Sequence, residues 1–291
     1  MKLRIYTVLV TYNPNIEHLK KSISLLLRQT DKVIICNNSK IDIDLDFENI
    51  ITFNFNNNLG IAMAQNIGME WAFSNDADFI LQLDQDSLIA PDMVINLVST
   101  YKKLLILGFS PGFVGPVEQD IDSNEINKKR FSTGKKIDND IWAVKETISS
   151  GGLIPKHAYE KIGGNDERLF IDLVDIEYCW RLQANDLGVY VTKKATLLHK
   201  LGNGKKAVVL NYRVDDHSAI RYFYQNRNLL LSIGYSHAPL RWKITAIPRV
   251  IRNLLFSFFL FENGKERSWY IIKGIQAAAL SRYGKFQKNY N

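Results

Sequence analysis

The sequence predicts an α/β protein in which a mostly parallel central sheet carries helices on both faces. Through the first hundred residues, short apolar segments rich in β-branched residues alternate with segments whose apolar residues recur at helical spacing. Polar residues directly follow each apolar segment, a pattern typical of a ligand-binding edge. With 46% hydrophobic and 23% charged residues, the 291-residue chain has a globular composition, which excludes wholesale disorder and a fibrous chain.

The first two elements show the two patterns on which this prediction depends. Residues 4–10 form a nearly continuous apolar run, which predicts a buried first strand. Over residues 15–29 the apolar positions lie three or four apart, which predicts an amphipathic helix. The same patterns then recur, with strands expected at 32–36, 49–55 and 79–83 and helices at 61–73 and beginning near Pro91.

The second half of the chain is less regular. Residues 120–140 are polar and charged, which predicts a flexible loop or a β-excursion. Asp175, Cys179 and Leu182 have helical spacing, and residues 188–192 predict another strand. Strand–helix–strand repeats at these intervals indicate βαβ units, whose right-handed crossovers bring the carboxyl ends of the strands to one edge of the sheet.

The two cysteines and the apolar runs exclude several classes of protein. Cys36 and Cys179 are too few for a disulfide framework or a structural zinc cluster, and a reducing, cytoplasmic setting is expected. The most apolar run, residues 254–261, is far shorter than the roughly 20 residues that cross a bilayer. The apolar N-terminal stretch is also too short for a signal peptide. The sequence therefore predicts no transmembrane helix.

The formal net charge of +7 is concentrated at the C-terminal end. Residues 236–291 contain ten basic and two acidic residues, whereas the preceding 235 residues are nearly neutral. Within 239–261 the basic residues alternate with aliphatic and aromatic ones at helical spacing. This pattern favours either a helix in the membrane interface, attracted to anionic lipid, or a helix packed on the rest of the chain or on a second subunit. The interleaved aliphatic residues, and the lack of a nucleic-acid motif, disfavour nucleic-acid binding.

Asp84-Gln85-Asp86 follows the strand predicted at 79–83 and delivers two carboxylates to the ligand edge. Hard divalent cations such as Mg²⁺ and Mn²⁺ prefer oxygen ligands, and Mg²⁺ commonly takes one or two carboxylates together with substrate phosphates. The triplet is thus a candidate metal-diphosphate site. A turn in which Asp86 or Ser87 caps the next helix explains the same residues without any ligand.

Three further positions each have a chemical and a structural interpretation. Asp175, in the first turn of a predicted helix, could be a general base or could simply stabilise the helix N-terminus. His199 could lie near a bound metal or be a structural histidine. Arg221 could pair with a phosphate or could belong to a solvated helix surface.

In combination and in order, these segments resemble the inverting glycosyltransferases of family 2, with the GT-A nucleotide-sugar fold, and most of all bacterial rhamnosyltransferases of surface-polysaccharide synthesis. The resemblance covers residues 5 to about 230. The segments that carry it are Val10-Thr11-Tyr12-Asn13, Asn37-Asn38-Ser39, Asn58-x-Gly60, Asn66-x-Gly68, Leu83-Asp84-Gln85-Asp86-Ser87, Ser150-Gly151-Gly152, Ile162-Gly163-Gly164, Phe170-Ile171-Asp172, Asp175-x-Glu177-Tyr178, Arg181, His199, Arg221-Tyr222 and Arg227-Asn228.

The resemblance implies roles for these residues. Asp175 would be the catalytic base, and Asp84 and Asp86 would hold Mg²⁺ or Mn²⁺ with His199 close by. Thr11 and the Asn37-Asn38 turn would line the nucleoside pocket. The full set of positions expected to bind substrate is Thr11, Tyr12, Asn13, Asn37, Asn38, Asn58, Gly60, Asn66, Asp84, Gly151, Gly152, Glu177, Arg181, Arg221 and Arg227. Family members usually carry an acid where this chain has Cys36, so Asn37 is expected to take over that contact.

The resemblance also implies an organisation and a reaction. Residues 1–235 would form the catalytic domain, with a nucleotide-sugar half at 1–110 and an acceptor half at 111–235, and residues 236–291 would form a basic helical extension. The donor would be dTDP-β-L-rhamnose and the acceptor a polyprenyl-diphosphate-linked glycan at the inner face of the cell membrane, with residues 239–261 on the membrane surface. UDP-glucose, UDP-galactose, UDP-galactofuranose and UDP-N-acetylhexosamine are alternative donors. A non-catalytic glycan-binding or sugar-nucleotide-binding subunit and a homodimer are also open.

Overall fold

The computed structural model describes residues 2–121, 123, 125–127, 129–199, 207–209, 212–214 and 218–288. The strands are β1 (Ile5–Thr11), β2 (Lys32–Asn37), β3 (Ile50–Asn54), β4 (Phe79–Asp84), β5 (Ser87–Ile89), β6 (Pro111–Asp120), β7 (Lys135–Asp138), β8 (Ile141–Ala143), β9 (Leu153–Pro155), β10 (Gly188–His199), β11 (Ala207–Val209) and β12 (Tyr212–Val214). The helices are α1 (Ile16–Leu26), α2 (Ile61–Ser74), α3 (Met93–Ile106), α4 (Lys129–Thr133), α5 (Lys156–Ile162), α6 (Val174–Ala184), α7 (Ala219–Leu231), α8 (Leu240–Leu260) and α9 (Gly264–Ala279).

The central sheet has the strand order β3-β2-β1-β4-β9-β6-β10-β8-β7. The predicted parallel pairing joins β3, β2, β1 and β4, and it recurs between β6 and β10. β9 runs antiparallel between β4 and β6, and β8 and β7 add an antiparallel edge. β5 pairs antiparallel with the end of β10, and β11 and β12 form a separate hairpin. The insertion of β9 brings the turn before Leu153 beside the end of β4.

Helices cover both faces of the sheet, as the sequence predicts. Alternate residues of β1 enter two different cores, since successive side chains of a strand point to opposite faces. Leu9 packs in the core that contains Leu19 of α1 and Leu97 of α3. Val8 packs in the core that contains Met69 of α2 and Leu182 of α6. The apolar alternation of β1 therefore holds a layer of helices on each side.

Element boundaries differ from the sequence-based expectation in three places. α1 ends at Leu26, three residues before the predicted end. β10 is longer than predicted, because it continues through Lys193 and Lys194 to His199 while a register shift accommodates the polar residues. The region 120–140 includes the short helix α4 and the edge strand β7 in its described part.

The last three helices pack on one another and on the body of the protein. Tyr222 and Leu229 of α7 share a core with Val250 of α8 and Ile271 of α9. Trp242 of α8 meets Trp180 of α6 edge to face, with 5.0 Å between ring centroids. One face of α8 is thus buried against α6, α7 and α9. Among the described helices, none is long and apolar enough to cross a membrane.

Candidate functional site

The ends of β1, β2 and β4 meet at one edge of the sheet, and polar side chains fasten them together there. The Gln85 side-chain amide bonds the Tyr12 backbone twice: the Tyr12 N–H donates to Oε1 over 2.7 Å, and Nε2 donates to the Tyr12 carbonyl over 3.1 Å. This pair extends the register in which Val10 lies opposite Asp84. The middle residue of the Asp84-Gln85-Asp86 triplet therefore fixes the position of the two acids relative to β1.

A network of buried amides organises the adjacent loops. Asn37 is fully buried, and its Oδ1 accepts from the Thr11 hydroxyl over 3.3 Å, while its Nδ2 donates to Asn54 Oδ1 over 2.8 Å. The Asn13 N–H donates to the Ser39 hydroxyl over 2.7 Å. The Asn38 side chain bonds the Gly60 carbonyl and the Leu59 N–H. The residues predicted to line the nucleoside pocket thus lie close together, and many of their hydrogen bonds hold the loops in shape.

The Cys36 side chain points away from the site, although its backbone pairs with Val10 beside the end of β4. Its side chain is fully buried in the core beneath α2, where burial raises the pKa of the thiol to about 12. Because alternate residues of a strand face opposite sides, a residue at this point of β2 packs against the helix layer. The cysteine is therefore a core residue and leaves ligand contact to the residues that follow it.

Gly60 lets the start of α2 approach the loop that precedes Asp175. Its φ of 87° lies in the region that favours glycine, and a Cβ there would be 2.6 Å from the Phe170 carbonyl oxygen. That carbonyl accepts from the Ile61 N–H over 2.8 Å, and the Asn58 side chain accepts from the Gly60 N–H over 2.9 Å. Asn58 and Gly60 therefore join two loops at the edge of the site.

Asp84, at the end of β4, is half-buried among other carboxylates. Burial, together with the negative charges of Asp86 and Asp175, raises the pKa of Asp84 to about 7, and the positive charge of Arg221 partly opposes this rise. The Asp84 N–H donates to the Ser150 hydroxyl over 3.1 Å, and that hydroxyl donates to Ser87. The structure thus brings the predicted metal-binding and catalytic acids into one electrostatic cluster.

This cluster fits a divalent cation. Asp84 and Asp86 supply oxygen ligands at a place where three carboxylates outnumber the one nearby arginine. Among the residues that the structure describes, no group of three or more His, Cys, Asp or Glu side chains could enclose a metal ion. Two carboxylates with open coordination positions match a cation that is also bound by a substrate diphosphate.

The backbone of His199 lies beside the acidic triplet, since His199 pairs with Ser87 across β10 and β5. Its side chain lies outside the described part of the structure, so its predicted metal contact stays a prediction.

Gly151 and Gly152 hold the strands beside Asp84. The Gly151 N–H donates to the Gln82 carbonyl over 2.7 Å, and the Gly152 carbonyl accepts from the Gln82 N–H. A Cβ on Gly152 would lie 2.0 Å from a ring carbon of Phe113. The lack of a side chain at these two positions lets the turn pack closely against β4 and β6. The glycines therefore support the site structurally, and their predicted contact with substrate stays a prediction.

Asp175 follows a loop with an unusual backbone. Phe170, Asp172 and Leu173 all have φ between 64° and 70°, the left-handed region that non-glycine residues rarely adopt. The Asn228 Nδ2 donates to the Leu169, Ile171 and Asp172 carbonyls over 2.8–3.0 Å. The Arg221 guanidinium forms a two-pronged ion pair with Asp172 at 3.0–3.2 Å. α7 thereby fixes the loop from which Asp175 begins α6.

Arg227 requires a correction. Its side chain is fully buried, and the guanidinium donates to the carbonyls of Leu169 and Gly284 and to the Asn228 side chain. With its donors turned to these interior acceptors, Arg227 holds the loop from behind and does not face a substrate.

Glu177, Arg181 and Asn66 also have structural partners. The Glu177 carboxylate is buried and forms an ion pair with Arg181 over 2.7 Å, and His237 Nε2 lies 2.9 Å from it. Arg181 also donates to the carbonyls of Ile162 and Gly164. The Asn66 side chain bonds both the N–H and the carbonyl of Asn165. These contacts join α2, α6 and the loop between α5 and α6, and the predicted substrate contacts of the three residues stay predictions.

Asp172, Asn228 and Ser150 hold the site but were not predicted to do so. Their contacts link residues 49 to 66 positions apart in sequence, so local spacing gives no signal for them. All three residues do stand within the segments that carry the family resemblance, and that pattern is the one signal available for them.

Comparisons with known proteins agree with this architecture. Residues 6–163 match the family described as glycosyl transferase family 2. The chain is 30% identical over 289 residues to the dTDP-rhamnosyl transferase RfbF of Shigella flexneri, and the match covers 95% of each chain.

Among solved structures, the first 349 residues of S. aureus TarS in complex with UDP-GlcNAc give a TM-score of 0.58 at 12% identity, covering 95% of this chain and 82% of that one. GalNAc-T7 with UDP, GalNAc and Mn²⁺ gives a TM-score of 0.55 at 11% identity, covering 97% of this chain and 58% of that one. At these identities the two structures show the GT-A fold alone. Together, the family match and the full-length relative show that the chain is a glycosyltransferase and belongs to glycosyl transferase family 2.

Proposed function

We propose that the protein transfers L-rhamnose from dTDP-β-L-rhamnose to a hydroxyl group of a lipid-linked glycan acceptor in surface-polysaccharide synthesis, with inversion at the anomeric carbon. The observation that carries the choice of donor is the 30% identity to a dTDP-rhamnosyl transferase over 95% of both chains. The acidic cluster at the end of β4 and the start of α6 offers the carboxylates that this reaction needs, for a cation and for a general base.

Asp175 is the general base of this proposal. Its carboxylate removes the proton of the acceptor hydroxyl, and the hydroxyl oxygen attacks the anomeric carbon opposite the departing diphosphate. The new bond forms as the bond to the diphosphate oxygen breaks, through an oxocarbenium-like state, which inverts the configuration. The half-buried position of Asp175 at the start of α6 supports this role.

Asp84 and Asp86 would hold Mg²⁺ or Mn²⁺ together with the donor diphosphate, and the bound cation would neutralise the charge that grows on the leaving group. Arg221 balances part of the negative charge of the acids and keeps Asp172 in place. The buried amides of Asn37 and Asn38 and the Thr11 hydroxyl shape the edge on which the nucleoside would lie.

The C-terminal extension supports a peripheral position on the inner face of the cell membrane. One face of α8 exposes large apolar side chains three or four residues apart: Leu240, Ile244, Ile247, Ile251, Leu255, Phe258 and Phe259. The surrounding segment of residues 236–291 carries ten basic and two acidic residues. An apolar stripe flanked by positive charge is complementary to an anionic bilayer surface.

The donor assignment is tested with a panel of nucleotide sugars in the presence of Mg²⁺ or Mn²⁺, with nucleoside diphosphate release and the product anomer as measurements. We expect dTDP-β-L-rhamnose to give the highest kcat/KM and an α-linked product.

We expect Asp175→Asn to lower kcat by roughly 10²–10⁴-fold, because the amide cannot accept the proton. Donor affinity should change little in that variant. Faster turnover of a UDP-sugar would contradict the donor assignment, and an Asp175→Asn enzyme with normal kcat would contradict the base.

Metal binding should depend on pH through Asp84. Because its pKa is raised to about 7, Asp84 must lose a proton before it can bind a cation, so metal affinity falls as the pH drops below 7. We expect Mn²⁺ to bind about tenfold more weakly at about pH 6 than at about pH 8, measured by electron paramagnetic resonance of unbound Mn²⁺. Asp84→Asn should abolish this dependence along with most of the binding. Equal affinity of the wild-type protein at the two pH values would count against the Asp84 site.

The membrane position is tested by co-sedimentation with phosphatidylglycerol-containing vesicles and with neutral phosphatidylcholine vesicles. We expect binding to the anionic vesicles, and a loss of about tenfold or more in the double variant Ile244→Asp/Ile251→Asp, because each isoleucine would bury apolar surface worth roughly 1.5–3 kcal/mol. These side chains are 66% and 54% exposed. Ile106→Asp, at a side chain that is 85% exposed on α3, is the matched control and should bind normally. Equal sedimentation of both variants would sink the proposal.

A further inference from the structure

A cavity of about 550 Å³ lies beside Asp175. One side is formed by the segment 144–148, which follows β8, and the other by the beginning of α8, including Pro239 and Trp242. Asp175 and Ile176 line it from α6. None of its described lining residues belongs to the ends of β1, β2 or β4, so the base borders a second space, apart from the nucleotide edge.

The lining of this cavity carries an excess of positive charge. Its described lining contains three basic residues, Lys145, Arg241 and Arg249, and two acidic ones, Asp175 and Glu146. Glu146 accepts a hydrogen bond from the Trp180 indole over 3.0 Å. A space of this size with three cationic side chains suits an anionic ligand, whereas a space meant for a neutral sugar alone would have no need of them.

The two arginines come from the same helix and differ in how they are held. The Arg249 guanidinium lies 4.2 Å from the Trp242 ring centroid, a cation–π contact that orders the side chain without removing its charge. Arg241 is exposed at the first turn of α8. Guanidinium groups bind phosphate oxygens two at a time, so this pair is suited to a phosphate or a diphosphate.

The apolar stripe of α8 begins at the same turn. Leu240, which directly precedes Arg241, is its first exposed member, and Ile244 follows one turn later. A ligand with its phosphates at Arg241 would therefore have an apolar surface beside it for a hydrocarbon chain. Asp175 and the two arginines line one cavity, and the apolar stripe begins at the residue before Arg241. A lipid-linked glycan likewise carries a sugar, phosphate groups and a lipid in one molecule.

We propose that this cavity is the acceptor subsite, and that Arg241 and Arg249 bind the phosphate groups that join the acceptor sugar to its carrier. This inference rests on the proposed function, since the acceptor hydroxyl must reach Asp175. It assigns part of the C-terminal extension to substrate recognition, in addition to membrane contact. It also gives the substrate class: a glycosyl phosphate or diphosphate, in preference to a neutral oligosaccharide.

The test is calorimetric binding of geranyl diphosphate to the full-length protein, with the donor site filled by excess dTDP and Mg²⁺. We expect the double variant Arg241→Gln/Arg249→Gln to bind at least about tenfold more weakly, because charge-assisted hydrogen bonds to phosphate are lost. Lys243→Gln removes one positive charge from the same helix and should bind within about twofold of wild type, since Lys243 is not among the described lining residues of the cavity. Geraniol, which lacks the phosphates, should bind much more weakly than geranyl diphosphate.

The variants are checked for folding by thermal melting and by dTDP affinity. Since Arg249 contacts Trp242, the single variant Arg241→Glu, at an exposed position, provides a second measurement and should also weaken binding. Normal binding of geranyl diphosphate by Arg241→Glu and by the double variant would overturn the proposal. So would the absence of binding to the wild type, or equal binding of geraniol.

Two further arms separate related explanations. Inorganic pyrophosphate that binds as tightly as geranyl diphosphate would mean that the phosphates alone are recognised, and weaker binding would mean that the lipid contributes; both support a cationic subsite. Binding of dTDP-β-L-rhamnose in the presence of Mg²⁺ is measured separately, because it depends on the donor site. Failure to bind this donor, with geranyl diphosphate binding intact, would refute the proposed donor and leave the anion subsite standing.

Discussion

The site depends on the contact between α7 and the left-handed loop that ends at Asp175. Three residues of this loop occupy a backbone region that costs roughly 1 kcal/mol or more for each side chain that carries a Cβ. The loop would relax without compensation. Asn228 bonds three of its carbonyls, and Arg221 bonds the Asp172 carboxylate. An otherwise unfavourable backbone is thereby fixed directly before the first turn of α6, which carries Asp175, the proposed base.

The same helix links the two halves of the chemistry. Arg221 forms an ion pair with Asp172 on the loop, and its positive charge also opposes the rise in the pKa of Asp84 at the end of β4. On the other side, Gly60 brings α2 against the Phe170 carbonyl, and Gln85 ties β4 to β1. The strand ends, the loop and α7 thus form one connected unit. This unit keeps the carboxylates of Asp84, Asp86 and Asp175 close together despite their mutual repulsion. A divalent cation bound with a diphosphate would relieve that repulsion.

The sequence predicts the strand ends well because apolar alternation is a local signal. The acids after β4, the amides after β2 and the first turn of α6 lie where the pattern puts them. The insertion of β9 between β4 and β6 was not predicted, since three residues carry too little pattern. Arg227, Asn66 and Arg181 illustrate a different limit. A polar residue within a family motif can hydrogen-bond a ligand or another loop of the protein. Local sequence does not distinguish these two roles, because the loop partners lie far away along the chain.

We infer that the Arg221–Asp172 pair positions Asp175, the proposed base, and the variant Asp172→Asn tests this role most directly. Asparagine has the same shape and tolerates the left-handed backbone, so the change removes the ion pair while sparing the loop. The measurement is steady-state kinetics together with dTDP affinity, with Asp166→Asn as a control because it removes the neighbouring ion pair to Arg168. We expect Asp172→Asn to lower kcat by about tenfold or more, because a misplacement of a catalytic group by about 1 Å is enough for such a loss. The KM for the donor and the affinity for dTDP should stay near the wild-type values. An unchanged kcat in Asp172→Asn, or an equal loss in Asp166→Asn, would contradict this role.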